Sequence, residues 1–301
     1  MNPYYKDYSE YMGEWFPRLK VQKLSVNAGF SCPNRDGTIG RGGCIYCDNS
    51  SFSPSYCMAT APSPREQLEA GKRFFAKKYP EMKYLAYFQS FTNTHGRSLS
   101  ELDALYREAL AVEDVVGLIV GTRPDTLPPE VMDLLGRIAR EVPVFLEIGA
   151  ESCDDATLRF ARRGHTWAQT RDAILRGADA GLHVGVHLIA GFPGDDGRQT
   201  LENIRQVCSL PVESLKLHQL QVLTSTPLYH LWQSGQLDLL LSDMKKYLDL
   251  CVQVIKAVPR HICIERFLSQ APPALVAAPR WNLKNHEFTH LLLRRLNSQM
   301  T

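Results

Sequence analysis

No stretch of this 301-residue chain approaches the roughly 20 consecutive apolar residues that a membrane-spanning helix needs. The opening residues, Met1-Asn2-Pro3-Tyr4-Tyr5-Lys6-Asp7, have no apolar core of the signal-peptide kind, so the expectation is a cytoplasmic protein without a membrane partner. A tandem sequence repeat is absent as well. A strong charge of one sign is also missing: 34 Lys and Arg face 32 Asp and Glu, for a net of +2. Apolar residues make up 44% and charged residues 22%, the composition of an ordinary globular chain long enough for one barrel-sized domain or two small ones. Eight cysteines in a cytosolic chain of this length do not make a disulfide framework.

What is present is uneven. Residues 1–100 hold 13 basic against 8 acidic side chains, residues 101–244 hold 12 against 21, and residues 245–301 hold 9 against 3. Basic ends on an acidic middle suit an anionic polymer or an ordinary solvated surface.

Short apolar, β-branched runs recur at Leu24–Val26, Tyr84–Phe88, Val115–Val120, Val144–Ile148, His183–Ile189 and Leu215–Val222. Helix-start signals lie between them: Pro64-Arg65-Glu66, Ser98-Leu99-Ser100-Glu101, Pro128-Pro129-Glu130, Asp154-Asp155 and Thr166-Trp167. Six strand–helix alternations predict right-handed βαβ units around a parallel sheet. The sheet is either a flat doubly wound one or an open, partial (β/α)6 barrel of the TIM type. The expected organisation is an N-terminal extension over 1–20, the α/β barrel over 21–258 and a C-terminal extension over 259–301. That last segment, with Pro272-Pro273 and Pro279, reads as an irregular strap before a helix near Lys284–Leu296.

Three cysteines crowd into sixteen residues, Cys32-Pro-Asn-Arg-Asp-Gly-Thr-Ile-Gly-Arg-Gly-Gly-Cys44-Ile-Tyr-Cys47, spaced C-x11-C-x2-C. The segment follows the first strand, at the end where α/β barrels carry their chemistry. Its glycines let a loop fold back on itself. Such a cluster asks for a metal. Three thiolates suit an iron–sulfur cubane that keeps one iron open; with Cys57 or a histidine as fourth ligand they suit a zinc knot. The remaining cysteines, Cys57, Cys153, Cys208, Cys251 and Cys263, read as small buried hydrophobes.

With Tyr46 before the third cysteine and six βα units following, the sequence resembles the radical S-adenosylmethionine (SAM) superfamily, specifically its YhcC-type branch, related to the radical SAM half of the Elongator catalytic subunit. Further segments carry the resemblance: Tyr87-Phe-Gln-Ser-Phe-Thr-Asn-Thr94, Gly121-Thr-Arg-Pro-Asp125, Glu147-Ile-Gly-Ala-Glu-Ser152 with Arg163-Gly-His165, His187-Leu-Ile-Ala-Gly-Phe-Pro-Gly194, and Leu217-His-Gln-Leu-Gln-Val222. The resemblance implies a [4Fe–4S] cluster on Cys32, Cys44 and Cys47, with SAM chelated to the open iron and cleaved to a 5′-deoxyadenosyl radical by an electron from the cluster. It further implies SAM contacts from Tyr46 and Gly191 at the adenine and from Gln89, Ser90 and Thr92 in place of the superfamily's Gly-Gly-Glu segment. Glu151 would face the ribose hydroxyls and Arg163 the methionine carboxylate, a carboxylate on a diol and a guanidinium on a carboxylate. Gly121 stands where the Elongator relatives have glutamate. His218 and Gln219 would lie near the substrate, or His218 is a satisfied core histidine.

The expected partners are a flavodoxin- or ferredoxin-type electron donor and, through the Elongator relatives, tRNA at the wobble uridine. The competing readings are a zinc-binding nucleic-acid module and a metal-free α/β enzyme. For an RNA partner the basic C-terminal residues Lys256, Arg260, Arg266, Arg280, Lys284, Arg294 and Arg295 are the candidate phosphate contacts, and Trp281 either stacks on a base or anchors the strap.

Overall fold

The computed structural model describes residues 2–52, 54–57, 63–76 and 81–298. Along the chain the elements are α1 (Tyr8–Trp15), β1 (Val21–Val26), α2 (Pro33–Asp36), α3 (Pro64–Ala76), β2 (Lys83–Phe88), α4 (Leu99–Leu110), β3 (Val115–Thr122), α5 (Pro129–Ala139), β4 (Val144–Glu151) and α6 (Asp155–Phe160). They continue as α7 (Trp167–Asp179), β5 (His183–Ala190), α8 (Arg198–Cys208), β6 (Ser214–Gln219), β7 (Val222–Leu223), α9 (Pro227–Gln233), α10 (Met244–Ala257), β8 (Cys263–Arg266), β9 (Val276–Ala278) and α11 (Asn285–Asn297).

The helices begin where local chemistry satisfies their first free N–H groups. Ser98 and Thr166 close capping boxes with Glu101 and Gln169, and Asp154 accepts from Thr157 N. Pro64 and Pro129 sit at first positions, where a missing N–H costs nothing.

Among the described residues seven strands form one parallel sheet in the order β1-β2-β3-β4-β5-β6-β8. Six strand spacings of about 4.8 Å would separate β1 from β8 by roughly 29 Å in a flat sheet. Instead Lys23 of β1 reaches Glu265 of β8 at 2.8 Å, so the sheet curls into a partial barrel. Lys6 adds a parallel bridge to Cys263, and the N-terminal extension closes the barrel's base: Tyr11, Met12 and Phe16 pack inside it on Leu85, Tyr87, Ile119 and Phe145. The larger core lies between the sheet and the helices, as expected of strands buried on both faces. No helix among the described residues is long and apolar enough to cross a membrane.

Two details depart from the sequence reading. The run Leu215–Val222 is not one strand: β6 stops at Gln219, and β7 turns out of the barrel to pair antiparallel with β9 of the strap. The seventh strand comes from the segment read as strap, because a four-residue strand, half of it charged, is too short for alternation to register. The six-unit barrel therefore gains a strand. Trp281 anchors the strap: its Nε1 donates to Ser242 O at 2.9 Å, and its ring packs on Tyr247 and Phe288. The basic C-terminal residues scatter. Arg295 pairs with Asp249, Arg260 with Glu10, and Arg266 turns inward.

Candidate active site

A cavity of about 270 Å³ opens at the C-terminal end of the barrel strands. It brings together Cys32, Cys44, Cys47, Tyr46, Gln89, Thr92, Glu151 and Arg163, residues drawn from more than a hundred positions of sequence. Ser90 is buried beside them without lining the cavity. Gly191 is also outside the lining; it faces Leu241, and Ile189, two residues earlier, takes the place on the wall.

The cysteine loop is held by its own backbone and by two neighbouring turns. Cys47 N donates to Cys44 O, and Gly43 N donates to Asn34 O. Gly43 has φ +81°, a left-handed conformation that residues with a side chain rarely adopt. Asn34 Nδ2 donates to the carbonyls of Arg162 and Arg163, tying the loop to the turn after α6, and Phe91 N donates to Asn49 Oδ1, tying it to the end of β2.

Three N–H groups aim at sulfur. Asn34 Nδ2 lies 3.3 Å from Cys44 Sγ, Arg163 Nη1 3.7 Å from the same atom, and Asn49 Nδ2 3.7 Å from Cys47 Sγ. Burial and the neighbouring Cys44 push the Cys47 thiol up to about 11, while Arg35 and Arg163 pull it back. A bound metal would take the Cys47 sulfur as a thiolate. Among the described residues no three His, Cys, Asp or Glu side chains gather closely enough to hold a single ion. The three cysteines line one cavity, and in a cubane each thiolate binds a different iron. Cys57 is not a fourth ligand: its Sγ donates to Ser25 O at 3.0 Å, away from the cavity. Cys153, Cys251 and Cys263 are buried small side chains, as read, and Cys208 is half-buried.

Arg163 and Glu151 form the next layer. β4 and β5 slip register between Gly149 and Glu151, and Glu151 adopts a left-handed φ of +67° that turns its carboxylate into the cavity. Arg163 Nη2 donates to Gly149 O at 2.7 Å and lies 3.4 Å from Glu151 Oε1. A Cβ on Gly149 would stand 2.6 Å from that Nη2, so the glycine makes the approach possible. Arg163 Nε is buried with no partner among the described residues, a donor left over for a ligand. Burial and the nearby Arg163 and Arg123 hold His165 neutral, its pKa brought down to about 2. Burial, with Glu151 close by, raises the Tyr46 phenol far above its ordinary value, and the ring packs edge-on against Phe192. Gln89 accepts from Ser25 Oγ at 2.9 Å.

Sequence reasoning missed the cavity floor. Lys23 (β1), Glu147 (β4), Lys216 (β6) and Glu265 (β8) form a buried square in which each lysine contacts both glutamates at 2.5–3.3 Å. Tyr87 donates to Glu147 Oε2 at 2.6 Å, and His187 Nε2 lies 3.0 Å from the same oxygen. Burial opposes the Glu147 charge, but Lys216 and Lys23 outweigh it and keep its pKa well below the usual carboxylate range. Burial dominates at Lys216 and draws its pKa down to about 8. Burial, with His187 and Arg266 beside it, keeps His218 neutral. The signal was there: a lone charge amid Val-Phe-Leu-Glu147-Ile or Leu-Lys216-Leu is out of place in a strand buried on both faces.

Comparison with known proteins fits this geometry. The model of the Radical SAM superfamily matches residues 34–207 and that of the Radical_SAM C-terminal domain residues 212–298. Protein YhcC of Escherichia coli K12 is 34% identical over 263 residues, 87% of this chain and 82% of that protein. The tRNA uridine(34) acetyltransferase of Methanocaldococcus jannaschii is 30% identical over 125 residues, 40% of this chain and 22% of that protein. Among solved structures, Methanocaldococcus infernus Elp3 shares the fold, with a TM-score of 0.71 at 16% identity over 93% of this chain and 63% of that one.

Proposed function

This chain belongs to the radical SAM superfamily, and on that premise we propose that it is an enzyme that holds a [4Fe–4S] cluster on Cys32, Cys44 and Cys47 and cleaves SAM to start radical chemistry. The observation that carries this reading is the single cavity in which the three cysteines meet Glu151 and the unsatisfied Arg163 Nε. When bound there, the cluster supplies one electron to the sulfonium of SAM and thereby the carbon-centred radical.

The chain's own groups divide the remaining work. Asn34, Asn49 and Arg163 donate to the thiolate sulfurs and stabilise their charge. Arg163 offers a guanidinium to the methionine carboxylate, and Glu151 accepts from the ribose hydroxyls. Tyr46, Ile189 and Leu220 supply an apolar wall suited to a purine, backed by Phe192 against Tyr46, and exclude water from the reacting centre. Gln89 and Thr92 present polar groups to the SAM amino group, with Ser90 behind them. The electron comes from a separate flavodoxin- or ferredoxin-type protein.

As the substrate we propose the side chain of a tRNA wobble uridine. The support is the 125-residue likeness to an enzyme named for uridine 34 of tRNA. Anaerobic reconstitution with iron and sulfide, then SAM and dithionite, tests the chemistry: 5′-deoxyadenosine accumulates, and a colourless, zinc-loaded protein overturns the reading. Nucleoside profiles of tRNA from a deletion strain test the substrate; an unchanged profile removes tRNA and leaves SAM cleavage standing.

A further inference from the structure

Five cationic side chains line the cavity, and four are engaged. Arg35 donates to Cys47 O, Arg123 grips Asp125 through two nitrogens, Arg163 holds Gly149 O and Glu151, and Lys216 belongs to the floor square. Arg266 differs. Its nearest acid is Glu265 Oε1 at 3.9 Å, beyond hydrogen-bond reach, and its side chain makes no hydrogen bond among the described residues.

Its direction is built into the sheet. β6 and β8 pair Leu215 with Ile264, then Lys216 with Arg266, so Glu265 is an extra residue in a bulge. In a regular strand neighbouring side chains point to opposite faces; the bulge sends both Glu265 and Arg266 to the cavity side. Glu265 completes the square, two lysines balanced by two glutamates. Arg266 is the surplus charge, set beside the neutral imidazole of His218.

We infer that Arg266 is the anion-reading residue of the substrate subsite and takes a carboxylate or phosphate group of the substrate in its guanidinium fork. A planar fork with free donors suits a two-oxygen anion, and a partly desolvated wall strengthens the interaction over its value in water. Nucleotide phosphate and organic carboxylate share this chemistry. The inference rests on the cavity being the reaction site.

The test is chemical labelling of the reconstituted holoenzyme with phenylglyoxal, read by peptide mass spectrometry, with inorganic phosphate, succinate or SAM as protectant. Arg266 should label faster than the buried Arg123 and Arg163, and protection by phosphate or by succinate identifies the source of the anion. Protection by neither overturns the inference, as does protection by SAM with no further effect of either anion. As a second readout, the affinity of the protecting anion, taken from its effect on thermal unfolding, should fall roughly tenfold or more in R266Q, with R266K intermediate. Equal affinity in R266Q and wild type overturns it. Failure of the cofactor reading shows separately, as a wild-type protein that holds neither iron nor SAM.

Discussion

At the cysteine loop, donors from turns and loops converge on sulfur; at the floor, charges from the middles of four strands pair with one another. Both regions are buried, yet their electrostatics close differently. Asn34 and Arg163 point at the Cys44 sulfur and Asn49 at that of Cys47, whose thiol burial pushes up, so these N–H groups face sulfur atoms rather than carboxylates. Lys23, Lys216, Glu147 and Glu265 satisfy each other without any ligand. The proposed ligand site and the self-paired floor should respond to mutation in different measurements.

The largest effect should come from removing a thiolate. Cys44→Ala should lose the iron–sulfur absorbance of the reconstituted protein, whereas Cys208→Ala on α8 should retain it; a stable cluster in the first variant breaks the contrast. Next comes the floor. Glu147→Ala leaves two buried lysines short of a carboxylate and should cost about 3–5 kcal/mol of unfolding free energy, the range for breaking a buried ion pair. A loss under about 1 kcal/mol, the range of an exposed pair, would show that the square is solvated in solution. Smaller again is Arg163→Ala, which should weaken SAM binding by about 1.5–3 kcal/mol, as for a hydrogen bond to a charged group, with iron content kept. Loss of iron with unchanged SAM affinity would assign Arg163 to the sulfurs alone.

Acid separates the two regions most finely. The folded pKa of His165, near the loop, is depressed to about 2, so the unfolded chain takes up its proton first and stability falls as pH drops below about 6.5, by about 1.4 kcal/mol per pH unit. Glu147 is depressed as well, but from the carboxylate range, so its contribution is full above about pH 4.3 and is lost only as pH falls below that. Urea midpoints from pH 7 to 4 should therefore decline from about pH 6.5 in wild type and less steeply in His165→Gln, where the buried neutral His218 still takes up its proton on unfolding. A decline as steep as that of wild type would place the His165 share of the proton uptake elsewhere.

Much of the loop was legible in the sequence because its signals are local. Cysteine spacing, Gly43 and the first strand stand within a few dozen residues, and a loop so built needs few distant partners. Glu151 and Arg163 were legible through their shared segment at the end of β4 and after α6. The floor was not, since Lys23 and Glu265 are 242 positions apart and no local pattern pairs them. Arg266 was counted with a basic surface, because nothing in a four-residue strand announces a bulge.

The sequence by itself determined the strand–helix alternation, the helix starts and the position of the cysteine loop, since propensity, capping and turn chemistry act within one or two turns of chain. The tertiary structure alone decided that the sheet curls, that Cys263–Arg266 joins it, and that four charges from four strands meet at 2.5–3.3 Å. Those outcomes depend on twist and register summed over the whole sheet, and a buried charge finds its partner only when the barrel brings the first strand to the last.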